Sequence, residues 1–190
     1  MKKTMPIIAT LGATLLSGCL ASSPAERADW NIECSDAALR VAETPKYGVA
    51  RLGLVELRAP YAVRELAVLR ADGSIAFDPC NAYAASPVQL LKGAALASLE
   101  RSGLFSAVVG AGSSADSDVD VEVAVTRLAL DCREEGVRRA VASLSVRLVR
   151  SHGIVAFGSG SGSADASAPD YSAAFSSAVT SAFSDALNRL

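Results

Sequence analysis

One cysteine in this chain stands where its thiol could be chemically modified. Cys19 directly follows Leu16-Ser17-Gly18, and ahead of these lie Lys2, Lys3 and an apolar run from Met5 to Leu16. A positive end, a short greasy middle and small residues at a cut form the order of a secretory leader. The run is shorter than the about 20 apolar residues a helix needs to cross a bilayer. Small residues before Cys19 let extended backbone enter a peptidase, and a thiol at that position can accept an alkyl group.

The other cysteines, Cys34, Cys80 and Cys132, are spaced too widely for a metal knuckle. The only histidine, His152, falls in the expected turn Ser151-His152-Gly153, so no metal site is expected. Outside the cytoplasm these three thiols can form one disulfide and leave one thiol over, with all three pairings open.

Leu16-Ser17-Gly18-Cys19 resembles the lipobox of bacterial lipoproteins, in which the cysteine sulfur receives a diacylglycerol and the chain is cut just before it. The resemblance implies a lipoprotein signal peptide over 1–18 and a mature protein beginning at Cys19. Its only prosthetic matter would be covalent lipid, a diacylglycerol and an acyl chain such as palmitate on Cys19. A lipidated tether over 19–29 and a single domain over 30–190 follow. The small and polar residues with Pro24 in the tether let the domain stand off the membrane. Leu20 rather than an aspartate follows the acylated cysteine, which favours the outer over the inner membrane, with the domain on the periplasmic face.

Loss of Lys2 and Lys3 with the leader takes 18 Lys+Arg to 16 against 20 Asp+Glu, so the net charge moves from −2 to −4. An acidic balance argues against a nucleic-acid binder. Hydrophobic residues make up 51% and aromatic ones 5%, so a core built from Val, Leu and Ala is expected.

The elements can be placed in order. Trp30–Cys34 reads as a short strand, Val49–Leu57 as a second, and Leu66–Arg70 with Ile75–Phe77 as a hairpin closed by Asp72-Gly73. Ser86-Pro87-Val88-Gln89 opens a helix with an N-cap serine and a proline at the first position. Val88, Leu91, Ala95 and Leu99 give it an apolar stripe and Gly103 a stop. Leu104–Val109 reads as a strand. Val119, Val121, Val123 and Val125 alternate with acidic residues, and the parity flips at Arg127-Leu128, which predicts a bulge. Ala140 to Leu148 lines the longest strand, Ile154–Gly158 returns, and Gly158–Ala168 reads as a Gly/Ser loop. A closing helix from near Asp170 carries Phe175, Val179 and Phe183 on a broad apolar stripe. The expected fold is α+β: a mainly antiparallel sheet with two amphipathic helices packed on one face, a two-layer sandwich.

Together these pieces resemble the ABC-type transport auxiliary lipoproteins, periplasmic partners of mammalian-cell-entry-type lipid-transfer systems. The residues that carry the resemblance are the lipobox, Trp30-Asn31-Ile32, the stretch Leu69 to Asp78, and Asn81-Ala82-Tyr83-Ala84-Ala85-Ser86-Pro87 leading into Leu90-Leu91. The family usually has a tryptophan where Tyr83 stands. The resemblance implies a non-enzymatic accessory component of an intermembrane phospholipid transport system. Its partners would be a mammalian-cell-entry-type lipid-binding subunit with its permease and ATPase, and homo-oligomers are compatible with it. A structural or assembly-factor envelope lipoprotein, serving a secretion channel or a cell-wall synthase, is the alternative.

The residues point the same way on chemistry. No glycine-rich loop ends in Lys-Ser or Lys-Thr, so a nucleotide site is not expected. The serines of the last helix lack a base, and His152 has no evident partner, so no enzyme is expected. Tyr61 and Tyr83, on loops flanking the hairpin, are the candidate partner contacts; the competing reading is that each ring caps the core with its hydroxyl in water. The acidic stretch Asp116 to Glu122 reads chiefly as a solvated strand face.

Overall fold

The computed structural model describes residues 28–34, 39–167 and 171–190. The leader, the lipobox with Cys19 and most of the tether lie outside the described residues, as does the expected start of the last helix at Asp170. Among the described residues eight strands and two helices follow one another: β1 Ala28–Trp30, β2 Tyr47–Leu57, β3 Glu65–Arg70, β4 Ile75–Tyr83, α1 Pro87–Arg101, β5 Phe105–Gly110, β6 Val119–Cys132, β7 Arg139–Arg150, β8 Gly153–Asp165 and α2 Ser172–Leu187.

All eight strands form one sheet, and β6 organises it. One side of β6 pairs along nearly its whole length with β7. Its other side is shared end to end. β2 takes the first half, with Val55 beside Val123, and β3 takes the second, with Val68 beside Leu130. Beyond these two the sheet forks into separate wings, β5 next to β2 and β4 then β1 next to β3.

The bulge falls where the parity change places it. The register with β7 shifts between Val125 and Arg127, which leaves Thr126 as an extra residue. A one-residue slip would turn a side chain to the opposite face. Because of the insertion, Val121, Val123 and Val125 before it and Leu128 and Leu130 after it are all buried on one face.

The sheet is mixed rather than mainly antiparallel. Four of the seven pairings are parallel, namely β1 with β4, β2 with β5, β2 with β6, and β3 with β6. Alternation tells which way side chains face, not which way the neighbouring strand runs. The three antiparallel pairs, β3 with β4, β6 with β7 and β7 with β8, join strands consecutive in sequence; the parallel ones join strands far apart in it. The first strand is also shifted: β1 ends at Trp30, and residues 31–34 are not strand.

The hairpin and first helix form as their residues dictate. Gly73 takes φ +82° in the β3–β4 turn, and its N–H donates to the Arg70 carbonyl at 2.9 Å. Ser86 is the N-cap of α1 and Pro87 opens it, although the serine hydroxyl makes no capping bond. Leu91, Ala94, Ala95 and Leu99 are buried against the sheet. Gly103 ends the helical region at φ +71°, and a Cβ there would collide with the Ala42 carbonyl.

The Gly/Ser stretch expected as a loop is strand β8, paired with β7 from Gly153 to Asp165. Its glycines explain why. A Cβ at Gly158, Gly160 or Gly162 would run into the carbonyl oxygens of Ala186, Ala182 and Ala178. Glycines two apart on a strand face one way, and alanines four apart on a helix face one way. Those two stripes let α2 lie with its backbone against β8. Burial forced by the helix overrides the weak strand preference of Gly and Ser.

Both helices share one hydrophobic cluster with a single face of the sheet, so the molecule has two layers. The opposite face carries Leu54, Phe77 and Phe157 exposed to solvent. Among the described residues no helix is long and apolar enough to cross a membrane.

Candidate functional site

The candidate contact residues Tyr61 and Tyr83 do not share an exposed edge. Tyr83 ends β4 with only 2% of its surface exposed. Its ring meets Phe175 of α2 edge-on, so it belongs to the core beneath the helix layer. The hydroxyl has no hydrogen-bond partner. Burial alone pushes the Tyr83 phenol far above its ordinary range, since ionisation would leave a charge in an apolar surround. A contact role on the surface therefore falls away for Tyr83, because a partner cannot reach it.

The surrounding motif is structural. The Trp30 indole donates to Asn81 Oδ1 at 3.0 Å, and its ring lies 5.6 Å from that of Tyr171. Asn81 Nδ2 in turn donates to Asp78 Oδ2 at 2.7 Å. Arg64 binds the Tyr83 carbonyl through Nε at 3.0 Å. Thus Trp30 and the Asn81 to Tyr83 stretch lock β1 onto β4 and onto the start of α2.

Tyr61 is half-buried in the loop after β2, where its N–H donates to the Arg58 carbonyl at 3.0 Å. It packs both against the main core and against Ala67, Leu69 and Ala129, a small cluster on the sheet face away from the helices. In the strand register Phe77 lies beside Ala67 and Ile75 beside Leu69. Phe77 is 44% exposed and Ile75 36%. Tyr61 thus sits at the rim of an apolar patch on the open face, whose exposed members the sequence reading missed. The signal was present: Ile75 and Phe77 alternate with Ala76, and only the partner layer decides which parity faces water.

Among the described residues no disulfide joins Cys34, Cys80 and Cys132 to one another. Cys132 ends β6 next to Arg70, whereas Cys80 lies on β4 opposite the start of β3, near Leu66. Four residues of strand separate those levels by about 13 Å. A disulfide needs Cα atoms within about 7 Å. Cys34 lies elsewhere, its sulfur 3.5 Å from Ser98 Oγ of α1. Desolvation raises the Cys132 thiol, partly countered by Arg138.

The acidic stretch is largely engaged with neighbouring strands. Asp118 Oδ2 accepts from the Val49 N–H at 2.7 Å, Asp120 lies 3.8 Å from Arg51, and Glu122 lies 4.0 Å from Arg147. Arg51 also donates to the carbonyls of Ser113 and Ala115, which fixes the loop before β6. Phe175, Val179 and Phe183 are core residues with 1% exposure or less. His152 occupies the β7–β8 turn at φ +68°, after Ser151 at +48°. Among the described residues no three His, Cys, Asp or Glu side chains are grouped to hold a metal ion.

No protein-family model matches the chain, and no curated protein matches it. Solved structures do resemble it. Protein XCC0632 from Xanthomonas campestris, of the DUF330 family, superposes with a TM-score of 0.57 at 17% identity, covering 84% of this chain and 87% of that one. An uncharacterized protein gives a TM-score of 0.47 at 12% identity over 76% and 87% of the two chains. The PelC dodecamer from Paraburkholderia phytofirmans gives 0.40 at 14% identity over 81% and 94%. At such identities the first likeness establishes the fold alone, one held in common with a DUF330 protein.

Proposed function

We propose that this chain is a lipid-anchored envelope protein that works by contact, as an accessory component of an ABC-type intermembrane lipid transport system. The observation that carries the reading is the sequence Leu16-Ser17-Gly18-Cys19 behind a short apolar leader. A lipid on Cys19 would confine the domain to a membrane surface, where a second chain or a lipid anchor adds to a single weak one. The family-like Asp72-Gly73 hairpin and Ser86-Pro87 helix start support the transport assignment. A sheet face that carries the exposed Phe77, next to Ala67 of the small cluster Tyr61 packs on, offers a surface through which such a protein could meet the lipid-binding subunit.

The experiment has two arms. Metabolic labelling with palmitate should mark the wild-type chain and not Cys19→Ala; equal labelling would remove the anchor. A mild-detergent pull-down from native envelope, read by mass spectrometry, should recover a mammalian-cell-entry-type subunit with its permease. Recovery of a cell-wall synthase or secretion channel, without a transporter subunit, would replace this reading with the assembly-factor one.

A further inference from the structure

The sheet face away from the helices carries a cross-strand row with matched ends. Leu54 of β2 lies beside Glu122 of β6, Glu122 beside Arg147 of β7, and Arg147 beside Phe157 of β8. The order across the face is apolar, acidic, basic, apolar. Leu54 is 50% exposed and Phe157 53%, so both ends of the row leave apolar surface in water.

A half-turn about a line along the strands, midway between β6 and β7, exchanges the two ends of this row. It sets Leu54 of one copy over Phe157 of a second, and Glu122 of each copy over Arg147 of the other. Other levels of the β6–β7 ladder obey the same operation. Asp131 comes over Arg139, Ala129 over Val141, and Ala124 over Ser145. Asp120 comes over Val149 and Arg127 over Ser143, so no like charges meet along the two central strands.

We propose that this face is an interface between two copies of the chain, their sheets stacked about that two-fold axis. A self-complementary patch is what an isologous interface requires. Stacked sheets keep about 10 Å between them, with strands within about 30° of alignment. Both helix layers then lie on the outer sides, clear of one another. Near the β7–β8 turn, Ile154, 62% exposed, comes over the level of Arg51, which donates to the Ser113 and Ala115 carbonyls of a loop of small residues.

In the single chain Glu122 and Arg147 already lie 4.0 Å apart. Stacking leaves that pair intact and gives each charge a second opposite charge across the axis, so four charges alternate. With β6 14 residues long, the four strand columns offer about 900 Å2 of face per copy. A stable interface buries about 800 Å2 per partner. Phe77 stays outside the overlap: β4 is two strands from β6, and its mirrored position falls beyond the β8 edge. The inference therefore does not depend on the transport reading.

Its test is sedimentation equilibrium of the full chain in mild detergent at matched density. Wild type is expected to be a dimer at micromolar concentration. Phe157→Glu, a side-chain change at an exposed site, should raise the dissociation constant at least about tenfold with unchanged circular dichroism. Arg147→Glu sets acid over acid and Glu122→Arg sets base over base, so each variant alone should be weakened. Mixed in equal amounts, the two should associate at least about tenfold more tightly than either alone, since every acid then meets a base. The pair within the chain is broken in both variants, so recovery on mixing reports only the contact between copies. A monomeric wild type, an assembly unaffected by Phe157→Glu, or a mixture no tighter than its components would overturn the proposal.

Discussion

The rings of Tyr83 and Phe175 meet edge to face, with centroids 6.0 Å apart and planes at 87°. This contact ties the end of the hairpin strand to the last helix, yet the Tyr83 hydroxyl beyond it is buried without a partner. An unsatisfied buried hydroxyl costs about 1–3 kcal/mol.

Tyr83→Phe keeps the edge-to-face contact and removes the orphaned oxygen, so it should stabilise the fold by about 1 kcal/mol in urea denaturation. Tyr83→Ala should cost about 3–5 kcal/mol through the cavity it leaves. The phenol's folded pKa is raised above its unfolded value of about 10. Its contribution to stability is therefore complete below pH 10 and is lost as pH rises beyond it. In Tyr83→Phe the alkaline loss of stability should shrink; an unchanged alkaline profile would refute the burial argument.

The packing of α2 on β8 should be unusually sensitive at Gly160. Gly160→Ala inserts a methyl into the helix backbone near Ala182 and should cost about 1–3 kcal/mol. Ser159→Ala, on the other face of the same strand, should stay within about 0.5 kcal/mol. Chemical denaturation of the two variants makes the comparison, and equal effects would mean that the helix does not approach as described.

Two glycines with the same sign of φ should respond unequally to alanine. Gly73 has open space around it, so Gly73→Ala should cost only the left-handed strain of about 1–2 kcal/mol. Gly103→Ala adds a collision with the Ala42 carbonyl and should cost more. Thermal melting with matched buffers distinguishes them.

Arg133 holds Asp131 through bonds at 2.6 and 2.9 Å, and these lower the Asp131 carboxyl below its ordinary value, against a smaller desolvation effect. A depressed carboxyl contributes stability above its unfolded pKa of about 3.9, lost as pH falls through the folded value. Arg133→Ala should return the Asp131 titration, followed by carbon NMR, towards the ordinary carboxylate range. Because Arg133 is half-exposed, the loss at neutral pH should stay below about 1 kcal/mol.

Denatured, alkylated chain should show Cys80 and Cys132 both carrying label without prior reduction, since the two are not bridged to each other. Label appearing only after reductant on the pair would contradict the strand levels assigned above.

The local signals were legible because they are written in consecutive residues. Asp72-Gly73 between apolar runs gave the hairpin, Ser86-Pro87 the helix start, and the parity change after Val125 the bulge at Thr126. Strand direction was not legible, because β2 finds its parallel neighbours in residues 105–110 and 119–125, which nothing in its own alternation specifies. β8 was hidden for a related reason. Gly158, Gly160 and Gly162 look like a loop until they are set against Ala178, Ala182 and Ala186, and only the docked helix makes that match. Tyr83 misled because its phenol usually ends in water, whereas here β1 and α2 close over it. The lipobox stays a reading of sequence alone.

The shared edge of β6 also has a consequence in time. A ribosome delivers residues 47–83 well before residues 119–132, so neither β2 nor β3 meets the strand that joins them until much of the chain has been made. Every pairing across that edge closes a long loop, and such pairings slow folding. Strand β2 and the early β3–β4 hairpin must therefore wait for a late segment to arrive and join them. A chain of this build gains from a holding chaperone during its synthesis, and truncation before Val119 should yield material that such a factor retains rather than a smaller folded unit.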